Sequence, residues 1–345
     1  MAAPIPESAA QAGRGRNLAV AVPTALGLIA VVLASLLIQP ARWAGPWIFV
    51  GLVVVALALA LHELIQALGR VGFRVPYSPL VVGAALTQVA AAATGAPGVV
   101  VGVFLTLAAS MLWRVLEGDY RQTHDAAVPG PGAPVQFRDP GPGGGWEPAG
   151  AAADGSGDTG GSGGSGDTGG TAGAASGRSL TQDLYAIAFA TVYLPALGAL
   201  VVLLSFLPDG RWLVLLLVAV PVASDTGGYF AGSHFGKHKL APLISPKKTW
   251  EGLAGSILLA LVAGVGGMLL MRQPWYFGVA LAVLGALAAT LGDLAESLLK
   301  RDIGIKDMGS LLPGHGGVLD RVDSILMTAP FFYAVIALFG TKAFG

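Results

Sequence analysis

The sequence has no cysteine. That excludes disulfides, zinc thiolate sites and thiol nucleophiles. Charge is also scarce. Asp, Glu, Lys and Arg make up 12% of 345 residues, about half the roughly 25% of an ordinary soluble chain. So little charge cannot cover a water-facing surface, so a soluble enzyme, a disordered chain and a small secreted disulfide scaffold are all excluded. Neither sign of charge is in excess: 20 Lys and Arg balance 20 Asp and Glu. No nucleic-acid partner is indicated. What is abundant is apolar: 54% hydrophobic residues and a mean hydropathy of +0.69. The 51 glycines and the many alanines resemble the output of a high-GC bacterial genome.

A helix rises 1.5 Å per residue, so about 20 apolar residues cross a hydrocarbon core of roughly 30 Å. Nine stretches fit: Leu18–Gln39, Trp47–Leu68, Leu80–Thr94, Val99–Leu116, Leu184–Leu207, Trp212–Ala231, Leu253–Met271, Phe277–Leu299 and Ile325–Gly340. The third is short, and the fifth has the look of a broken helix. The first follows Arg14 and Arg16 as a signal peptide would. Its apolar run is too long for a signal h-region and no Ala-x-Ala site follows, so it reads as an uncleaved span. The fold class expected is all-α: a polytopic integral membrane protein with about nine transmembrane helices.

Orientation follows from the basic residues. With the N-terminus in the cytoplasm, the inner segments hold Arg14, Arg16, Arg70, Arg74, Arg114, Arg121, Arg138, Arg178, Lys237, Lys239, Lys247, Lys248, Lys300, Arg301, Lys306 and Arg321. The outer segments hold only Arg42, Arg211, Arg272 and Lys342. This is the positive-inside pattern. It indicates a bacterial cytoplasmic (inner) membrane.

Residues 117–178 are rich in Gly, Pro, Ala, Ser and Thr, and repeat Gly-Ser-Gly-Asp-Thr-Gly-Gly at 155–161 and 164–170. Such a tract buries too little apolar surface to offset chain entropy, so it reads as a disordered cytoplasmic linker. It divides the chain into a four-span region (1–116) and a five-span catalytic membrane domain (179–345).

Most acids near the membrane lie in the second half. Asp225 closes the sixth stretch, Asp293 and Glu296 lie in the last turns of the eighth, and Asp320 and Asp323 precede the ninth. Unpaired carboxylates in hydrocarbon are costly, so these acids pair, neutralise, hold a metal or face water. His62 and Glu63 interrupt the second stretch, either as a self-contained pair or as part of a lipid entrance.

Two connections have opposite character. Residues 224–252, SDTGGYFAGSHFGKHKLAPLISPKKTWEG, carry Lys237, Lys239, Lys247 and Lys248 against Asp225 and Glu251. Gly227, Gly228, Gly232 and Gly236 leave the backbone free to approach an anion. Thr249 can cap the helix that follows, whose N-terminus adds donors. This segment reads either as a polyphosphate seat or as an ordinary positive-inside loop. Residues 291–324 carry six acids against Lys300, Arg301, Lys306 and Arg321. Asp293 and Glu296, and again Asp320 and Asp323, are three apart and share a helix face. Glu296 can also pair with Lys300 four residues on. Clustered carboxylates are hard oxygen ligands suited to Mg²⁺. A basic and an acidic segment on one side of a bilayer suit phosphoryl or nucleotidyl transfer to a lipid.

The stretch Ser297-x-Leu299-Lys300-Arg301-x4-Lys306-Asp307-x-Gly309-x2-Leu312-Pro313-x-His315-Gly316-Gly317-Val318-x-Asp320-Arg321-Val322-Asp323 resembles throughout the signature of the CDP-diacylglycerol synthase (phosphatidate cytidylyltransferase) family. FGKHKLAP and SPKKTWEG upstream are similar to that family as well. The resemblance is close over 210–345 and only general in the N-terminal spans. It implies the reaction CTP + phosphatidate → CDP-diacylglycerol + pyrophosphate in phospholipid biosynthesis, with Mg²⁺ and a second, monovalent cation, and a homodimer. It implies Asp293, Asp320 and Asp323 as metal ligands, and Asp293, Asp320, Lys248 and Arg321 as the catalytic set. Asp225, Lys247, Lys300, Arg301, Lys306 and His315 are implied as substrate-binding residues, with Lys237 and Lys239 as weaker phosphate contacts. Two positions depart from the pattern: Gly228 stands where Ala is usual, and Ser233 where Lys or Arg is common. Competing readings are a CTP-dependent lipid kinase, a synthase acting on an isoprenoid ether lipid, and an ion-coupled transporter. Against the last, the acids sit at one edge and no inverted repeat relates the halves.

Overall fold

In the computed structural model the described residues are 18–38, 45–125, 179–305, 307–309, 311 and 316–340, with only the backbone described at 18–26 and 118–125. Lys306, His315 and the Gly-rich tract from 126 to 178 lie outside them. The chain order is α1 (Leu18–Leu37), α2 (Trp47–Arg70), α3 (Tyr77–Thr94), α4 (Ala96–Asp125), α5 (Leu180–Thr191), α6 (Leu197–Ser205), α7 (Gly210–Phe235), β1 (Lys239–Ala241), β2 (Ser245–Thr249), α8 (Trp250–Leu270), α9 (Trp275–Ile303) and α10 (Leu319–Val335). Eight helical stretches among the described residues are long and apolar enough to cross a membrane, α5 and α6 counting as one. Helix α1 adds an apolar run of 20 residues. The chain is a multi-pass, all-α membrane protein, and among its described residues the only sheet is a short antiparallel hairpin, β1–β2.

The break expected in the fifth span is present. A π-helical turn, Val192–Ala196, separates α5 from α6 and contains Pro195. Proline has no N–H to give, so the ladder is disturbed there. The carbonyl of Pro195 accepts a buried hydrogen bond from Gln88 Nε2 of α3 at 2.9 Å. Several boundaries differ from expectation. Helix α4 runs on to Asp125, past the linker boundary set at 117. The sixth span runs past both Asp225 and its expected end at Ala231, because α7 continues to Phe235. Helix α10 begins at Leu319 rather than Ile325, so Asp320 and Asp323 lie inside it rather than before it. Glycines 227, 228 and 232, read as a loop, are helical and pack on α8. A Cβ on Gly227 would strike the Gly255 carbonyl, and one on Gly228 would strike Ser256 Oγ at 2.5 Å. Close approach to a neighbouring helix offsets the poor helix propensity of glycine.

The same device recurs along the bundle. Gly264 of α8 faces Gly278 of α9, and Gly292 of α9 faces Met327 of α10. Residues of α2, α3, α5, α6, α7, α8, α9 and α10 contribute to one buried cluster. The described residues up to Arg114 and from Ser179 onward form one compact unit. The second unit, Val115–Gly177, is described only as the continuation of α4. Val100, Phe104, Leu105 and Leu112 of α4 and Leu258 and Val262 of α8 are exposed. An apolar exterior this extensive faces lipid rather than water.

One buried ion pair ties the helices on either side of the tract from 126 to 178. Arg114 of α4 donates to Asp183 Oδ2 of α5 through Nε (2.9 Å) and Nη2 (2.6 Å). The other carboxylate oxygen accepts the Arg74 backbone N–H at 2.9 Å. Asp183 is only 1% exposed. Removing one partner strands a buried charge, which costs about 3–5 kcal/mol. Arg114→Met and Asp183→Ala are each expected to lower the thermal midpoint of the detergent-solubilised protein. Differential scanning fluorimetry checks this, and unchanged midpoints would contradict it.

Candidate active site

Lys248 reaches the site because of the hairpin. Successive residues of a strand point to opposite sides. In β2, Lys247 is exposed and Lys248 is half-buried. Thr249 caps α8, its Oγ1 accepting the Gly252 N–H at 3.1 Å, as its side chain and position anticipate. Glu251, in the first turn of α8, lies 2.6 Å from His238 Nδ1 and accepts the His238 backbone N–H at 3.2 Å. That contact closes the hairpin onto the helix. Lys248 Nζ then lies 2.5 Å from Asp293 Oδ2 of α9 and donates to the Thr290 carbonyl at 3.3 Å.

The acids converge from α9 and α10. Asp293 and Glu296 share a face of α9 by their spacing. Gly292 lets α10 approach that turn, since a Cβ there would crowd Met327. Asp293, Glu296 and Asp323 each offer a carboxylate oxygen, all within 4.8 Å of one another. Glu296 and Asp323 are buried, while Asp293 opens outward. Lys300 Nζ lies 3.1 Å from Glu296 Oε1 and 2.8 Å from Asp320 Oδ1. The contact of Lys300 with Glu296 Oε1 is an ion pair rather than an aligned hydrogen bond. Three carboxylates this close are an oxygen donor set that could suit a hard divalent cation.

Asp320 also fixes the loop before α10. Its Oδ2 accepts the Gly317 N–H at 2.8 Å, and its Oδ1 accepts the Met308 N–H at 3.3 Å and lies 2.8 Å from Lys300 Nζ. It interacts with Glu296 as well, so it borders the group formed by Asp293, Glu296 and Asp323. Glu296 therefore satisfies both readings made of it, as partner of Lys300 and as a cluster member. Its i,i+3 relation to Asp293 carried that signal.

The remaining residues divide. Asp225 is exposed on α7 and lies within electrostatic reach of Asp293, Lys248, Asp323 and Arg321. Ser256 Oγ donates to the Ser224 carbonyl at 2.8 Å, holding that turn of α7 against α8. Arg321 is exposed in the first turn of α10 and also interacts with neighbours. Arg301, Lys237, Lys239 and Lys247 are exposed and make no ion pair with the cluster among the described residues. Tyr193, in the π turn, was missed. It lies in electrostatic reach of Asp323, Glu296 and Asp320. Only the helix break at Pro195 hinted at it. His62 pairs with Gln66, its Nε2 2.8 Å from Gln66 Nε2. Glu63 is buried elsewhere, against the start of α10.

A basic hairpin thus meets a carboxylate cluster at one end of α7–α10, an arrangement suited to anchoring a metal-bound polyphosphate. Over residues 20–339 the sequence matches the family described as Cytidylyltransferase family. The chain belongs to the cytidylyltransferase family. Similar proteins named phosphatidate cytidylyltransferase occur in Mycobacterium leprae, 32% identical over 326 residues (94% of this chain, 89% of the relative), and in Mycobacterium tuberculosis, 33% identical over 328 residues (94% and 84%). One from Bacillus subtilis is 46% identical over 119 residues (34% and 44%). As a cytidylyltransferase the chain is a CTP-dependent nucleotidyltransferase. Because strand alternation puts only Lys248 at the cluster, Lys248→Met is expected to cost activity about 100-fold or more, on the scale of losing one preorganised donor. Lys247→Met is expected to cost less than about tenfold, on the weak footing of an exposed charge. Rates of pyrophosphate release for the two variants decide this, and equal losses would refute it.

Proposed function

We propose that this chain is a phosphatidate cytidylyltransferase, transferring the cytidylyl group of CTP to phosphatidate and releasing pyrophosphate. The single observation that carries this reading is the junction of Lys248 with the carboxylate cluster at one end of a bundle otherwise clad in apolar side chains. A soluble triphosphate and a membrane lipid can meet there. The relatives named above act on phosphatidate by their names, and the chain spans most of the length of the two mycobacterial ones.

In the proposed reaction a phosphatidate oxygen attacks the α-phosphorus of CTP. The bond from that phosphorus to the bridging oxygen of the β-phosphate breaks, and pyrophosphate departs with the electron pair. Phosphomonoesters have a second pKa of about 6, so the nucleophile is largely dianionic near neutrality and needs no side-chain base. The protein's work is to bind and orient. Lys248, Lys300 and Arg321 offset phosphate charge around the cluster. Arg301, Lys247, Lys306 and His315 are proposed to hold the triphosphate or the lipid headgroup from the surrounding loops. Asp293, Glu296 and Asp323 fit Mg²⁺ by donor chemistry, three carboxylate oxygens lying within 4.8 Å of one another. When bound, such an ion would neutralise charge developing on the phosphates. Asp320 would support the cluster through Lys300 and the loop. The basic segments favour the cytoplasmic face of the inner membrane for this chemistry. The tract from 126 to 178 is read as a spacer outside it.

The test is a product assay on detergent-solubilised protein with CTP and phosphatidate, read by mass spectrometry. CDP-diacylglycerol and pyrophosphate are expected in equal amounts, only with both substrates present, abolished by EDTA and restored by Mg²⁺. CDP with a phosphorylated lipid would identify a kinase instead, and no product would reject the assignment. Asp293→Asn and Asp320→Asn are each expected to remove turnover while the protein still inserts in membranes. Membrane fractionation with the same assay checks this. Full activity in either variant at saturating Mg²⁺ would exclude that residue from the machinery.

A further inference from the structure

The start of α10 has no local cap. Val318 precedes it in helical conformation, with no side-chain hydrogen bond to the first turn. The first N–H groups of a helix need partners. Here one is supplied from 256 residues away: Leu319 donates its N–H to Glu63 Oε2 of α2 at 2.9 Å. Glu63 is 2% exposed, so this is a carboxylate sealed against a helix N-terminus, where its charge is favourable. Two glycines make room for it. A Cβ on Gly309 or Gly317 would run into the Glu63 carboxylate. Its second oxygen, Oε1, has no hydrogen-bond partner among the described residues.

What Glu63 holds leads directly to the cluster. Gly317 N–H donates to Asp320, and so does Met308 N–H from the segment beside Gly309. Asp320 holds Lys300, which reaches Glu296. Asp323 lies one turn further along α10. A polar cavity of about 480 Å³ separates the end of α2 from this segment, lined by His62, Gln66, Arg70, Asp307 and Met308 among others. Glu63 therefore bridges that gap from the four-span region and sets where α10 begins.

We infer that Glu63 is a positioning residue for cytidylyl transfer, fixing the start of α10 and the segment beside it so that Asp320 and Asp323 face α9 in register. This rests on the function proposed above. It also assigns the N-terminal spans a share in the site beyond membrane anchorage.

The test uses the full chain in detergent. Glu63→Ala is expected to lower kcat about 10–100-fold, the usual cost of losing a residue that orients a ligand set. KM for CTP stays within about threefold, because no substrate contact is lost. Glu63→Gln keeps a carbonyl oxygen for the Leu319 N–H and restores most of kcat. Without metal or substrate, hydrogen exchange at 316–325 is faster in Glu63→Ala and near the unaltered rate in Glu63→Gln. Gly309→Ala, which crowds the carboxylate, lowers kcat alone but adds little in the Glu63→Ala background, as coupled residues do. Normal kcat in Glu63→Ala, or unchanged exchange at 316–325, overturns the inference. If Glu63→Ala does not accumulate, Gly309→Ala carries the decision: a loss of tenfold or more in kcat at constant KM supports it, by the same estimate, and no loss sinks it. If the unaltered chain makes no CDP-lipid, the proposed function fails, while the exchange measurement still decides the role of Glu63.

Discussion

Carboxylates crowded together at the end of an apolar bundle repel one another and lose hydration, so each must find positive charge. Asp293, Glu296 and Asp323 lie within 4.8 Å of one another. Lys248 meets Asp293 from the hairpin, and Lys300 divides itself between Glu296 and Asp320. Three carboxylates held this close are a donor set suited to a cation as well as to lysine. The hairpin, the loop before α10 and the cap on α8 all serve to deliver or fix its charged members.

Close backbone approach is what brings these members together. Helices α7 and α8 meet through Gly227, Gly228 and Gly255, and α9 admits α10 at Gly292. Between helices in lipid the gain comes from packing and polar contacts rather than from removing apolar surface from water, so small residues at the seam matter more than large ones. The Ser256 bond to the Ser224 carbonyl adds a polar contact in the turn that carries Asp225. Mobility of that turn would move a carboxylate relative to Lys248 and Arg321.

Two long-range contacts of carboxylates join the four-span region to the rest. Asp183 binds the Arg114 guanidinium and the Arg74 amide, and Glu63 binds the Leu319 amide. Both are sealed from solvent. The region before the Gly-rich tract is thus tied to the later helices at defined points, although its sequence is mostly apolar and names none of these partners.

Much was legible in the chain alone. Apolar run length located the spans, because crossing a bilayer with satisfied backbone demands helices of a set length. The i,i+3 spacing placed Asp293 with Glu296 on one helix face, and Thr249 announced a helix start. These features depend on neighbours within one or two turns. The features that were misread depend on other segments. Glycines 227, 228 and 232 looked like a loop because α8, which they pack against, is not their neighbour in sequence. The hold of Asp320 on the loop was not legible, because its partners Met308 and Gly317 only meet it once the loop folds. Glu63 was visible as an acid inside an apolar run, yet its partner lies 256 residues away. Spacing along a chain determines which side chains share a helix face, and only tertiary packing decides which faces meet.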